Sequence, residues 1–129
     1  MTRSHLHAVA LLVSDYDEGL AFCVGVLGFE LRQDKTLTAD KRWILVAPPG
    51  AETALLLARA ATPEQNRAVG RQAGGRVGFF LQTGDFAVEH ARLSAAGVIF
   101  EEEPRHEPYG TVAVFRDPFG NRWDLLQLS

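Results

Sequence analysis

At 129 residues the chain has the length of one domain with a real core, because the buried share of a protein's surface rises with its size. Apolar residues make up 47% and charged residues 22%, a balance that excludes a disordered chain. The formal net charge of −3 excludes nucleic acid as the main partner, since phosphate binding needs a basic face.

In chain order, residues 6–13 (LHAVALLV) form the first predicted strand, apolar on both faces. Ser14 and Asp17 give a weak capping signal for a helix. Leu20, Val24 and Leu27 follow at helical spacing, and Gly28 supplies the stop. Strands are expected near 29–34, 41–47 and 53–58, the last two separated by Pro48-Pro49-Gly50, which cannot continue a ladder. Thr62-Pro63-Glu64-Gln65 announces a short helix, with Thr62 as N-cap, Pro63 at its first position and Gln65 as the reciprocal cap. Further along lie a strand at 76–82, a helix at 86–96 and strands at 98–102, 111–116 and 121–127. Asp117-Pro118-Phe119-Gly120 turns the chain between the last two.

The chain therefore states one pattern twice. A strand, a polar turn and a helix ending at glycine occupy Val9–Gly28 and recur at Val77–Gly97, the two terminal glycines lying 69 positions apart. The expected fold is α+β: two βαβββ modules forming a curved eight-stranded mixed sheet with helices outside. Its boundaries are module 1 at about 5–60, a linker at about 61–75 and module 2 at about 76–128, together a single domain over 1–129. The apolar runs stay under ten residues, too short for a membrane helix, and Met1-Thr2-Arg3-Ser4-His5 lacks a signal-peptide core. A lone Cys23 can form no internal disulfide, so a cytoplasmic protein without a membrane partner is expected, with Cys23 a small core hydrophobe.

Three segments, VSDYDEGLAFCVGVLGFELR at 13–32, KRWILVAPPG at 41–50 and TVAVFRDPFGNRWDLLQ at 111–127, resemble the vicinal oxygen chelate superfamily. That group contains glyoxalase I, extradiol dioxygenases, fosfomycin resistance proteins and bleomycin-binding proteins. The resemblance spans essentially the whole chain and implies the paired-module fold and a homodimer. In metal-dependent members four inward ligands, usually His, Gln or Glu, come from the first and last strands of each module. Those places carry over to Ala8, Leu56, Gly78 and Asp124, of which Asp124 alone can ligate. A lone carboxylate does not hold a divalent ion that wants several N or O donors, so neither metal nor other cofactor is expected. His5 and His7 share a face at the start of the first strand. A one-residue slip of register would turn His7 inward and open the metal question again.

Alternation along each strand selects the residues expected to meet a ligand. Trp43 and Leu45 share one face, Leu56 stands at the carried-over ligand place, and Phe80 alternates with Gly78 and Gln82. Arg122 shares a face with Asp124, and an unpaired buried charge is costly, so an ion pair of Asp124 with Arg76 or Arg122 is expected. Either arginine could also grip an acidic ligand group, for which the guanidinium fork is suited. Tyr109 stands in an edge loop that either closes over a guest or only turns the chain, Trp123 belongs to the core, and mid-helix His90 is expected in solvent. Two half-sheets lined by small residues such as Ala8, Ala10, Ala54 and Gly78 would leave an apolar hollow with a few polar groups, the usual make-up of a small-molecule site. The resemblance to metal-free members then implies a metal-independent binding protein that sequesters a drug or aromatic metabolite. The alternative is a metal-dependent lyase, isomerase or dioxygenase of the same superfamily.

Overall fold

The computed structural model describes residues 2–129, which divide into two compact units, 2–66 and 67–129. In the first unit β1 (Ala8–Val13) is followed by α1 (Tyr16–Leu20), a π-helical continuation (Ala21–Val26), β2 (Glu30–Thr38), β3 (Lys41–Ala47) and β4 (Ala54–Arg59). α2 (Pro63–Ala68) runs across the boundary between the units. The second unit holds β5 (Val77–Gln82), α3 (Phe86–Ala95), β6 (Arg105–Glu107), β7 (Gly110–Arg116) and β8 (Arg122–Leu128). The fold is α+β, with eight strands in two four-stranded mixed sheets of orders β1-β4-β3-β2 and β5-β8-β7-β6. In each sheet the first strand pairs in parallel with the last, and the other pairings are antiparallel. No helix among the described residues is long and apolar enough to cross a membrane.

The two helical segments start and stop by the same chemistry. The extended Asp15 accepts a hydrogen bond from the Glu18 amide (2.9 Å), and the extended Asp85 accepts one from Val88 (3.1 Å), each satisfying a first-turn donor. Asp15, not Ser14, is therefore the first N-cap. At the other end Gly28 (φ 79°) and Gly97 (φ 96°) turn the chain through the left-handed region open to glycine. Thr62 Oγ1 caps Gln65 N as expected (3.1 Å), while the Gln65 side chain reaches past Thr62 to the Ala61 amide (2.8 Å).

In unit 1 the helical segment covers one face of the sheet. Leu11, Val13, Ile44, Val46 and Leu57 are fully buried, as is Cys23. Gly19 allows this approach, because a Cβ there would stand 3.1 Å from both Leu57 and Val13 side chains. The buried positions are Tyr16, Gly19, Phe22, Cys23 and Leu27; of the expected stripe Leu27 is buried, while Leu20 and Val24 are only half-buried. Tyr16, Gly19, Cys23 and Leu27 still follow helical spacing, one position before Leu20 and Val24, and the π segment widens this face to take in Phe22.

Two elements differ from expectation in unit 2. Residues 98–102 make no strand: Phe100 forms one bridge to Phe115, and the second strand of the module is β6, a few residues further on. Glu101-Glu102-Glu103-Pro104 explains this, since like charges and a missing amide donor cannot sustain a ladder. His90 is not solvated but lies between Phe86 and Phe100, with ring centroids 5.5 and 4.1 Å away.

The β7–β8 connection depends on one carboxylate. Asp117, 5% exposed, accepts hydrogen bonds from Phe119 N (3.0 Å), Asn121 N (2.9 Å), Asn121 Nδ2 (2.8 Å) and Trp123 Nε1 (3.0 Å). Trp123 is core, stacked on Phe79 and Phe115. Asp117→Ala leaves several buried donors without acceptors, each costing about 1–3 kcal/mol. Urea unfolding should register a loss of about 3 kcal/mol or more, whereas Asp17→Ala at an exposed ion pair should change stability by about 1 kcal/mol or less.

Candidate functional site

Unit 1 places its three expected ligand residues on one patch. Leu45 joins Ala47 and Ala54 in a buried cluster, and Trp43, Leu56 and Ala8 pack against it. This face is the one opposite the helix, so its small side chains leave room instead of filling it. A cleft of about 490 Å³ opens where β1 and β4 end and β3 begins, lined in its apolar part by Leu12, Trp43, Leu56 and Ala58. The Trp43 indole is half-buried and donates Nε1–H to Gln33 Oε1 (3.0 Å), a bond at the ring edge that restrains the ring.

The charged wall of this cleft is not evident from sequence spacing. Tyr16, Arg42 and Arg59 converge there: the guanidinium carbons stand 5.4 and 5.6 Å from the Tyr16 ring centroid, and Tyr16 Oη accepts the Arg42 amide (3.2 Å). Arg42 also pairs with Asp34 (2.6 Å) and Asp17 (3.2 Å), whose hydrogen bonds hold its pKa above the ordinary value. The register of β3 on β4, Ile44 opposite Leu57, brings the two arginines to the same end of the sheet. A hairpin register imposed on the alternation pattern is the signal that could have found them.

Unit 2 brings four of the remaining expected residues together on one face of its sheet. Phe80 stands beside Asp124 in the β5–β8 register and Gln82 beside Leu126, with Arg122 two positions before Asp124 on the same face. Phe80 is 66% exposed. The Gln82 side chain is engaged at the strand ends, accepting from Leu128 N (3.3 Å) and donating to Thr83 O (3.4 Å). Tyr109, 49% exposed, hydrogen-bonds Arg105, and Arg76 lies apart in a smaller hollow with Arg122.

The expected ion pair of Asp124 does not form. Arg122 is bound instead to Glu101 (Nε–Oε2 3.1 Å, Nη2–Oε1 3.2 Å), and these hydrogen bonds hold Glu101 below the usual carboxylate range. Asp124 is 8% exposed and its Oδ1 has no hydrogen-bond partner. Burial pushes its carboxyl up from the ordinary value; Arg105 opposes the shift, Glu102 adds to it and Arg122 opposes it. Arg105 itself is occupied by Glu102 (2.9 Å) and Glu107 (2.7 Å). Sequence reasoning missed Arg105 and Glu107, whose i, i+2 spacing becomes informative once β6 is known to be a strand.

The donor set for a metal does not fit. Among the described residues no three His, Cys, Asp or Glu side chains cluster as ligands. Ala8, Leu56 and Gly78 offer no donor, and His5 and His7 are exposed, their ring centroids 6.4 Å apart, ahead of β1.

Comparison with known proteins agrees with this fold. The model of the Glyoxalase/Bleomycin resistance protein/Dioxygenase superfamily matches residues 5–125, and the chain belongs to that superfamily. It is 50% identical over 131 residues to an uncharacterized protein of Shewanella frigidimarina (strain NCIMB 400), covering 100% of this chain and 96% of that one. The crystal structure of UcmS2 superimposes with a TM-score of 0.83 at 35% identity, covering 97% of this chain and 98% of the other. TnmS3, an antibiotic binding protein from Streptomyces sp. CB03234, gives a TM-score of 0.81 at 35% identity over 100% and 99% of the two chains.

The Asp124 environment makes a testable demand on pH. Its folded-state pKa lies above the unfolded value, so the protonated form is favoured in the fold and stability falls as pH rises through the carboxylate range. Asp124→Asn should therefore raise the melting temperature at pH 7 by about 3 °C or more, with the gain shrinking towards pH 3. A variant that melts with the parent at pH 7, or a gain that does not change with pH, would contradict the assignment.

Proposed function

We propose that the protein is a metal-independent small-molecule binding protein of the glyoxalase/bleomycin resistance type, sequestering a drug or an aromatic metabolite in the unit 1 cleft. The observation that carries this reading is the roughly 490 Å³ opening beside Trp43, with an apolar floor and a polar rim of Asp40, Lys41, Arg42 and Arg59. That volume lies within the range of about 300–1,000 Å³ usual for small-molecule sites. The indole stacks against a flat ring, and Lys41 and Arg59 hold acidic substituents on it. Support also comes from the likeness to TnmS3, described as an antibiotic binding protein. The absence of a fitting donor set favours binding over the metal-dependent chemistry of other superfamily members.

The protein acts as a homodimer in the cytoplasm on this reading. Exposed Leu31 and Leu37 on β2 supply apolar surface for a second copy, and the buried Cys23 thiol suits a reducing compartment.

Tryptophan fluorescence tests the binding claim. Trp123 is buried and gives a constant background, so a panel of planar aromatic acids should produce a saturable change that arises from Trp43 and vanishes in Trp43→Phe. No saturable change, together with no ligand protection against thermal unfolding, would overturn the reading. Stoichiometric Zn, Ni, Mn or Fe in protein purified without chelator would overturn its metal independence.

A further inference from the structure

Unit 2 contains a second concavity, separate in composition from the Trp43 cleft. It measures about 120 Å³ and is lined by four arginines, Arg71, Arg76, Arg116 and Arg122, with the buried Asn121 and several glycines. None of its lining residues is acidic. In a chain of formal net charge −3, four guanidinium groups around one small hollow are a concentrated exception. Like charges so placed repel, and an anion between them relieves the repulsion.

One internal carboxylate partly does this already. Glu101 Oε2 contacts Arg116 Nε (2.9 Å) and Arg122 Nε (3.1 Å), so it engages two of the four guanidiniums from one side. Arg71 and Arg76 have no ion-pair partner among the described residues. Glu101 is the one carboxylate in ion-pair contact with the four among the described residues, with Asp124 and Glu102 acting on Arg122 at longer range, so the hollow keeps more cationic than anionic groups.

The floor of the hollow is fixed by backbone. A Cβ on Gly70 (φ 76°) would lie 2.0 Å from the Phe119 carbonyl oxygen, so the Gly70 segment sits directly on the β7–β8 turn that Asp117 locks. Arg122 Nη1 donates to the Gly75 carbonyl (3.3 Å), and Arg116 Nη1 to that of Gly120 (3.3 Å), which ties two of the arginines to this floor. The volume is about a quarter of the unit 1 cleft, enough for a compact oxyanion and too little for a ring system.

We propose that this hollow is an oxyanion site for a phosphate group, held by Arg71 and Arg76 together with the guanidinium donors of Arg116 and Arg122, with Glu101 as the built-in competitor for the latter two. Guanidinium forks match phosphate oxygens in bidentate geometry, and a dianion uses the charge excess that a carboxylate ligand would leave. The site is independent of the aromatic guest proposed for unit 1.

Titration of the full chain with inorganic phosphate, followed by NMR amide shifts and calorimetry at constant ionic strength, tests it. Saturable binding should perturb the amides of residues 70–78 and 120–122, and chloride at equal ionic strength should not reproduce it. Arg76→Ala should weaken phosphate at least fivefold, Glu101→Gln should strengthen it severalfold by freeing Arg116 and Arg122, and Lys35→Ala on exposed β2 should leave it unchanged. Acetate binding as tightly as phosphate would overturn the phosphate assignment. A response that chloride reproduces, or Arg76→Ala binding like the parent, would overturn the site itself.

Discussion

Each unit depends on the parallel pairing of its first strand with its last. β1 lies along β4 with Ala8 opposite Ala54, and β5 lies along β8 with Phe80 opposite Asp124. A parallel neighbour cannot be reached by a tight turn, so the chain leaves the first strand through a helix to the far edge of the sheet and returns through two antiparallel strands, and that helix covers one face. The other face is free of the helix. What stands on it is not needed to seat the helix, and function can occupy it. In unit 1 that face carries alanines, leucines and a tryptophan; in unit 2 it carries an exposed phenylalanine beside a buried carboxylate.

The duplicated plan was legible because its signals are local. Strand alternation, the glycine stops and the Thr62-Pro63 helix start act within a few residues, and all appear in the structure close to their expected places. What the sequence hid is set by contacts across strands or between distant segments. Asp124 lacks the expected arginine because Glu101, 21 positions before Arg122, captures that guanidinium. Tyr16, Arg42 and Arg59 meet only through the β3–β4 register, and His90 finds its aromatic neighbour Phe100 across the end of its helix. The π segment escaped notice because an apolar stripe read at 3.6 residues per turn continues plausibly through it.

The two units apply their charge differently. In unit 1 Arg42 is consumed by two aspartates at the cleft rim, which orients it while leaving Lys41 and Arg59 to add positive potential. In unit 2 Arg105 pairs with Glu102 and Glu107 and Glu101 pairs with Arg116 and Arg122, while Arg71 and Arg76 stay outside these pairs and the buried Asp124 keeps one oxygen without a hydrogen-bond partner. Burying such a group without a partner works against stability, and folds tolerate that chiefly where an unpaired acceptor has a use.

β2 is exposed at all nine of its residues and forms the outer margin of its sheet, with leucines at 31 and 37. Its ladder is interrupted between Leu31 and Gln33 and again between Thr36 and Thr38, and Glu30, Arg32, Asp34 and Lys35 alternate in sign along it. Arg32, at the first interruption, reaches out to clamp the Pro48 and Ala51 carbonyls. A margin bent twice and studded with opposing charges offers no straight row of amides for stranger chains to copy. Leu31 and Leu37 thus stand in the open on an edge whose shape discourages strand-by-strand stacking.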